Sequence, residues 1–471
     1  MYCLEFDLPC SPDIIFSHFA GEEHSALLVS GGEFPDIAQR SFAAVRPFLV
    51  LTSYGKEITI TRPGRSGENL TDDPFDILDR ILASYAVKAP REILVRGTPP
   101  PFLCGAIGYF GYGLRTIIEK VPSCAEDDLQ LPDLYLAFYD TVIHYDVARA
   151  RARIFSTNFT EKDERSRKAS EREKAHSLAD EIRRYDAENE PGRVQTNAPE
   201  LTSNFTHEEY LKAVERVKEY ILAGDVYQVN LSQRFSARTL RSAYNIFQTL
   251  LKRNPEPFAA YINSPSAQIV SSSPERFLKV SGRYVETRPI KGTRPRGRTE
   301  EEDEHLRREL ERSKKDAAEL AMIVDLERND LGKVCEFGSV IVREHKRLEA
   351  HPTVFHLVSV IGGFLRRNVT VGNLLKATFP GGSITGAPKI RAMEIIDELE
   401  PHARGVYTGS IGYLGFDGTV DLNIAIRTMI IKGNNAYFNV GGGIVADSDP
   451  QAEFDETLQK AKALLASLTE N

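Results

Sequence analysis

Glu275 and Lys291 are an acid and an amine that could act together on one small molecule. The residues between them are largely apolar and β-branched on either side of a Ser281-Gly282 turn, which predicts a β-hairpin. A hairpin closed at this turn brings Glu275 and Lys291 to the same end, where the acid could donate a proton and the amine could attack as a nucleophile. The alternative interpretation is an ordinary ion pair at a sheet edge.

Three further carboxylates could hold a hard divalent cation. Glu319 lies in the largely apolar segment 318–326, where it needs either a salt bridge, for which Arg328 is near in sequence, or a metal ion. Glu453 and Glu456 form a stripe with Lys460 on the predicted C-terminal helix, at positions i, i+3 and i+7. Such a stripe is also common on the surface of a helix, so the spacing alone leaves both interpretations open.

Two features could bind an anion. Arg427 interrupts the apolar run 424–431, so its guanidinium is predicted to be buried and to face a negative charge, with Tyr407 on the preceding strand. The glycine-rich segment 381–386 is predicted to be an exposed loop before a helix that begins near Pro388. Its Ser383 hydroxyl and free N–H groups suit either the binding of a carboxylate or a structural turn. The G-K-S/T ending of a nucleotide-binding loop is missing.

The elements that must position these groups are visible in the pattern. Thr206 and Glu209 predict the start of a helix that Gly224 ends, and a strand with one polar face, which includes Gln228, follows it. Residues 301–334 predict a long helix with a charged first half. His356 is the polar side chain in the apolar half of a predicted strand. It could be either a hydrogen-bonded core residue or a catalyst.

Composition excludes several classes of protein. The 471 residues carry a net charge of -8, with 41% hydrophobic and 27% charged residues, and show no concentrated basic stripe, which argues against nucleic acid as a partner. We found no apolar run long enough to span a membrane and no export signal, and the five scattered cysteines suggest neither disulfides nor zinc. We therefore expect a cytoplasmic protein. The mixed-charge stretch 158–200 predicts a solvated helix and a linker ending near Pro191-Gly192, between regions 1–157 and 201–471.

Seven motifs, taken in order, resemble those of the chorismate-utilising enzymes, which include anthranilate synthase component I, aminodeoxychorismate synthase component I, and isochorismate and salicylate synthases. The motifs are SPERFL, PIKGTRPRG, IVDLERNDLGKV, HPTVFHLVS, FPGGSITGAPKIRAMEIIDELE, VYTGSIGYL and GGGIVADSDPQAEFDET. The resemblance is dense over about 205–465 and looser over the first 150 residues, where Gly113 stands in place of the usual Asp. It implies an α+β fold of large layered antiparallel sheets with helices outside, in which the two regions merge into one body.

The resemblance also implies the chemistry of these residues. Isochorismate and salicylate synthases have a lysine base where Gln228 stands, so activation of water is not expected. Anthranilate synthases read PIAGT where this chain reads PIKGT. Lys291 therefore implies the reaction of aminodeoxychorismate synthases, in which Glu275 is the general acid and Lys291 adds covalently to the ring. The product, 4-amino-4-deoxychorismate, leads to 4-aminobenzoate and folate, and anthranilate synthesis with release of pyruvate is the alternative.

Residue by residue, the resemblance assigns the substrate and metal contacts. It implies Mg²⁺ at Glu319 and Glu456 with Glu453 close by. The substrate contacts are Tyr407, Arg427, Gly441 and Gly443 at the enolpyruvyl carboxylate, Gly292, Thr293, Ser383 and Lys460 around the ring carboxylate and metal, and His356 and Gln228 in the pocket wall. With no glutaminase motif in the chain, ammonia is expected from a separate glutamine amidotransferase subunit. The segment 25–33 lies where anthranilate synthases bind tryptophan but lacks their LLES signature, so regulation by tryptophan stays open.

Overall fold

The computed structural model describes residues 1–8, 10–31, 37, 40–88, 101–146, 150–184 and 200–469. The strands of the N-terminal region are β1 (Tyr2–Asp7), β2 (Ala26–Val29), β3 (Ser41–Ala44), β4 (Leu49–Tyr54), β5 (Glu57–Thr61), β6 (Glu68–Thr71), β7 (Gly105–Phe110), β8 (Leu134–Tyr139), β9 (Thr141–Asp146) and β10 (Arg151–Ser156). The later strands are β11 (Leu201–Ser203), β12 (Gln228–Arg238), β13 (Phe258–Asn263), β14 (Gln268–Ser273), β15 (Arg276–Ser281), β16 (Tyr284–Arg288), β17 (Ile290–Pro295), β18 (Ile341–Ala350), β19 (Val354–Phe364), β20 (Gly386–Ala387), β21 (Ser410–Gly415), β22 (Val420–Asn423), β23 (Thr428–Lys432) and β24 (Asn435–Ile444).

The α-helices alternate with these strands along the chain. They are α1 (Pro12–Phe16), α2 (Pro74–Ser84), α3 (Arg115–Ile118), α4 (Glu164–Arg184), α5 (His207–Leu222), α6 (Ala243–Arg253), α7 (Glu300–Arg312), α8 (Lys314–Gly332), α9 (Val371–Thr378), α10 (Lys389–Leu399) and α11 (Pro450–Thr469).

The strands build two antiparallel sheets of twelve strands each within the described residues. Sheet I has the order β1-β10-β9-β3-β2-β13-β14-β23-β24-β12-β11, with β20 also paired to β12. Sheet II has the order β17-β19-β16-β15-β22-β21-β7-β8-β4-β5-β6, with β18 also paired to β19. Each sheet contains strands from both sides of the charged stretch 158–200. The layered α+β architecture expected from the sequence is confirmed.

Apolar side chains from both sheets form a shared core cluster. Ala44 and Ile269 of sheet I belong to the same cluster as Ile107 and Ile411 of sheet II. A second cluster joins strands of sheet I with residues of α1, α4, α6 and α11. A third joins strands of sheet II with residues of α2, α8 and α9. Since burial of apolar surface is the main stabilising term, these clusters hold the helices onto the sheets.

Local signals placed several elements correctly. The Thr206 side chain accepts a hydrogen bond from the Glu209 N–H, and the Glu209 carboxylate reaches back, so α5 begins with the predicted capping box. Gly224 adopts a φ of +83° just after this helix. The helix after the glycine-rich segment begins at Lys389, next to the predicted Pro388.

Other expectations were wrong. The long helix predicted for 301–334 is two helices, because Ser313 ends α7 and caps α8 through its side chain, which accepts from the Asp316 N–H. Helix α4 is not solvated all round, since Ala175, Leu178 and Ile182 are buried. The predicted linker around Pro191-Gly192 lies outside the described residues.

A cavity of about 300 Å³ has lining residues from both sheets. Leu28 and Val29 from the segment 25–33 line it, together with Phe258 and Tyr413. Among the described helices, none is both long and apolar enough to cross a membrane.

Candidate active site

The predicted hairpin forms and places Glu275 and Lys291 at one end. Strands β15 and β16 pair antiparallel, and Gly282 turns the chain with a φ of +60°. The Ile290 N–H donates to Glu275 Oε1 at 3.4 Å, so the residue before Lys291 contacts the acid. Burial raises the pKa of Glu275, and the charge of Lys291 opposes this shift, so the two side chains lie within electrostatic reach of each other.

Glu275 lies where the chain crosses from sheet I to sheet II, between β14 and β15. It is 4% exposed, and its carbonyl accepts from the Ile424 N–H at 2.9 Å. Burial raises the pKa of its carboxyl to about 7, although the Ser383 hydroxyl and Lys291 both stabilise the charged form. A carboxyl with this pKa is partly protonated at neutral pH and can donate a proton.

Lys291 lies half-buried on the edge strand β17. Burial lowers its pKa, while the carboxylates of Glu319 and Glu275 act in the opposite direction. Its Nζ lies 3.5 Å from the point that a Cβ on Gly443 would occupy. The amine therefore reaches from sheet II to strand β24 of sheet I, and its lowered pKa favours the neutral, nucleophilic form.

Gln228 presents an unsatisfied amide beside this lysine. It is 1% exposed, and among the described residues neither its Nε2 nor its Oε1 has a hydrogen-bond partner. A Cβ on Gly443 would lie 2.1 Å from Gln228 Nε2, so only glycine leaves room for this amide. The polar face of β12 is therefore buried instead of facing water, and an orphaned buried amide indicates a ligand-binding position.

Glu319 on α8 and the pair Glu453 and Glu456 on α11 supply the three predicted carboxylates. A Cβ on Gly442 would lie 3.0 Å from Glu453 Oε2 and 3.8 Å from Glu456 Oε1. Burial, together with the charge of Glu456, raises the pKa of Glu319 and of Glu453. Glu319 does have the alternative salt bridge, but its partner is Lys315 at 4.0 Å. Arg328, the expected partner, pairs with Asp325 at 2.9 Å instead.

The chemistry of these carboxylates fits a magnesium ion, since hard oxygen donors are the ligands it prefers and a cation would offset their mutual repulsion. The three carboxylates are farther apart than the ligands of an occupied metal site. A different group of potential metal ligands is closer together. Among the described residues, ligand atoms of Glu256, His351 and His356 all lie within 4.8 Å of one another.

Lys460 and Gly441 lie beside the α11 carboxylates. Lys460 Nζ lies 2.7 Å from Glu456 Oε1 and donates to the Gly441 carbonyl at 2.8 Å. The proximity of Lys460 lowers the pKa of Glu456. This lysine therefore joins α11 to β24 next to the reactive amine.

The glycine-rich segment 381–387 is buried, so the expected exposed loop is wrong. The Gly382 N–H donates to Glu327 Oε1 at 2.9 Å, and Ser383 hydrogen-bonds to Glu275. The N–H group that could have bound a substrate is thus already used within the protein.

Glu327 is a further buried acid that the sequence did not identify as a candidate site residue. It is 2% exposed, its Oε2 has no hydrogen-bond partner among the described residues, and burial raises its pKa to about 7. The available signal was an acid two turns after Glu319 on the same predicted helix.

Arg427 faces an anion as expected, but it is half-buried and precedes β23 instead of lying within it. Its Nη1 donates to Glu256 Oε1 and to Asn254 Oδ1. Tyr407 lies in the turn before β21 and not on a strand, and it contacts Arg404, whose guanidinium is 5.6 Å from its ring centre. The structure therefore pairs each of the two residues with a different neighbour.

His356 lies within electrostatic range of Arg427 and hydrogen-bonds to a residue two positions from Lys291. Its Nδ1 shares a hydrogen bond of 2.9 Å with Thr293 Oγ1, two residues after Lys291. Burial, then the charges of His351 and Arg427, lower the pKa of His356. Its Nε2 is buried and has no partner among the described residues.

Comparison with known proteins identifies relatives along most of the chain. The family described as chorismate binding enzyme matches residues 45–466. Aminodeoxychorismate synthase component 1 of Escherichia coli (strain K12) is 38% identical over 456 residues, which cover 97% of this chain and 96% of that protein. A protein named anthranilate synthase component 1 1, of Haloarcula marismortui, is 42% identical over 397 residues, which cover 83% and 81%.

A solved structure shares the fold. Anthranilate synthase component I from Streptococcus pneumoniae TIGR4 superposes with a TM-score of 0.80 at 32% identity, covering 92% of this chain and 93% of that one. Relatives of both names therefore match at similar identity.

Proposed function

The chain belongs to the family of chorismate-binding enzymes, and on this premise we propose that it converts chorismate and ammonia to 4-amino-4-deoxychorismate. The observation that carries the proposal is Lys291, an amine with a lowered pKa that lies near the acid Glu275 and approaches Gly443, which Gln228 also approaches. A neutral amine in this position is suited to covalent catalysis. Gln228 is neutral and has no basic nitrogen with which to activate water.

The reaction proceeds in two additions. Neutral Lys291 Nζ forms a bond to C2 of the ring, the two ring double bonds shift, and the C4 hydroxyl leaves as water with the proton of Glu275. Ammonia then bonds to C4, the double bonds return, and the C2–Nζ bond breaks. The added nitrogen releases one proton, which restores the acid form of Glu275, and the enolpyruvyl group is retained.

The substrate carries two carboxylates, and two parts of the site would bind them. Glu319, Glu453 and Glu456 would hold Mg²⁺, which when bound neutralises the ring carboxylate. Arg427 would bind the enolpyruvyl carboxylate through its guanidinium.

Ammonia is proposed to come from a separate glutamine amidotransferase subunit. The designation component 1 in the names of the relatives supports a second component. Ammonium salts should replace this partner in vitro.

Product identification tests the proposal. The purified protein is incubated with chorismate, Mg²⁺ and ammonium, the product is identified by mass, and free pyruvate is assayed. We expect 4-amino-4-deoxychorismate without pyruvate. Anthranilate and an equal amount of pyruvate would instead establish the anthranilate synthase reaction, which the similarity to relatives of that name makes the second candidate.

A further inference from the structure

Glu256 is a buried acid to which neither the sequence nor the proposed reaction gives a role. It is 1% exposed, and its two carboxylate oxygens have different partners. Oε1 accepts from Arg427 Nη1, and Oε2 lies 2.6 Å from His351 Nδ1. The anion that Arg427 faces is therefore a side chain of the same protein.

This acid lies close to the reactive groups. Asn254, which also accepts from Arg427, ends α6, and Pro255 joins it to Glu256. The rings of His351 and His356 are 4.8 Å apart, and His356 is tied to Thr293, two residues from Lys291. Arg427, whose charge acts on His356, therefore lies within electrostatic range of the residues around Lys291.

The backbone of Arg427 is held in an unusual conformation. Its φ of 49° lies in the left-handed region, which is unfavourable for a residue with a long side chain. Arg427 lies where the chain crosses from β22 in sheet II to β23 in sheet I. Strain of this kind persists where the surrounding structure fixes a side chain for function.

We propose that Glu256 is an internal competitor for Arg427, which a carboxylate of the substrate must displace before the guanidinium can bind it. The inference rests on the proposed function, because it takes a dicarboxylate such as chorismate as the substrate. On displacement Glu256 keeps its hydrogen bond to His351, so its charge is not left unpaired in the interior. His351 is suited to this exchange, because its ring lies between two acids: Nδ1 is 2.6 Å from Glu256 and Nε2 is 3.8 Å from Glu349. Glu256 is thus a positioning residue that sets affinity for the substrate.

Substitution of Glu256 by Gln tests the proposal. The amide keeps the size of the side chain but loses the charge, so it competes less strongly for the guanidinium. We expect Glu256→Gln to lower the Kd of chorismate about tenfold in calorimetry without ammonia, and to lower KM while kcat changes less than about twofold.

Glu349→Gln is the matched control. Glu349 is also a buried acid near His351, at 3.8 Å from its Nε2, but its arginine partners are Arg288 and Arg347 instead of Arg427. We expect the Kd of chorismate to stay within about twofold in this variant. A similar tightening in Glu349→Gln would overturn the proposal, because it would show a general effect of removing negative charge.

A double-mutant cycle separates competition from structural damage. In an Arg427→Gln background, Glu256→Gln should no longer tighten chorismate binding, because the guanidinium for which Glu256 and the substrate compete is absent. Folding of every variant is checked by its melting temperature. Unchanged or weaker binding by a folded Glu256→Gln protein would overturn the inference alone, whereas a wild-type protein that does not bind chorismate would overturn the proposed function and this inference with it.

Discussion

At the scale of single residues, burial favours the uncharged form of both Glu275 and Lys291. It raises the pKa of the acid and lowers that of the amine, so it favours the neutral form of both groups. Proton donation needs the neutral acid, and covalent attack needs the neutral amine. The opposite charges of the two groups partly offset this shift.

Lys291 should be indispensable for turnover. Replacement by Ala removes the nucleophile, and we expect kcat to fall by at least about 100-fold, the range over which a positioned catalytic group contributes. Lys291→Arg should be equally inactive, because a guanidinium keeps the charge but is not deprotonated in proteins. Activity is measured with ammonium as nitrogen donor. Full turnover by either variant would rule out the covalent role.

The pH dependence should follow Glu275. The proposed mechanism needs Glu275 protonated and Lys291 neutral, so kcat/KM should be bell-shaped with one limb near pH 7. In Ser383→Ala this limb should move to higher pH, because the lost hydroxyl stabilises the carboxylate form and lowers the pKa. A limb that stays in place or moves to lower pH would contradict this assignment.

At the scale of elements, the site is built from the places where the chain changes sheets. Glu275 lies between β14 of sheet I and β15 of sheet II, and Arg427 lies between β22 of sheet II and β23 of sheet I. The Ile424 N–H, which donates to the Glu275 carbonyl, joins the two crossings. Strand β24 completes the site with glycines that let Gln228 and Lys291 approach its backbone.

Gly443→Ala should damage the site through this close approach. The new Cβ would lie 2.1 Å from Gln228 Nε2, so the amide must move, and overpacking of this kind typically costs about 1 to 3 kcal/mol. We expect weaker chorismate binding in calorimetry and a lower melting temperature. Gly332→Ala is the control, because a Cβ there meets nothing within 4 Å. Equal behaviour of the two variants would show that the spacing at Gly443 does not matter.

At the scale of the whole molecule, the regions before and after the charged stretch share both sheets and a buried ion pair. Arg115 pairs with Asp397 of α10 at 2.6 Å, and the Cys124 N–H donates to the same carboxylate. Both side chains of the pair are less than 10% exposed. The C-terminal residues of the site are therefore positioned in part by contacts with the N-terminal region.

Removal of this carboxylate should destabilise the protein as a unit. Asp397→Asn leaves the Arg115 charge buried without its partner, and we expect a loss of about 3 to 5 kcal/mol in the free energy of unfolding. Urea unfolding followed by fluorescence and circular dichroism should show one coincident transition at lower urea concentration. Asp325→Asn, which affects the exposed pair with Arg328, should change stability by less than about 1 kcal/mol. Two separate transitions would argue against a single cooperative body.

Features that depend on a few neighbouring residues can be predicted without a structure. The turn at Gly282 and the capping box of Thr206 and Glu209 follow from local backbone chemistry, so the hairpin that brings Glu275 and Lys291 to one end could be predicted. Three features could be seen only in the folded protein. The polar face of β12 is buried, the Gly382 N–H donates to Glu327, and Arg427 pairs with Glu256. Burial and the choice of a charged partner depend on elements that are distant in sequence, and local periodicity carries no information about which of them will pack together.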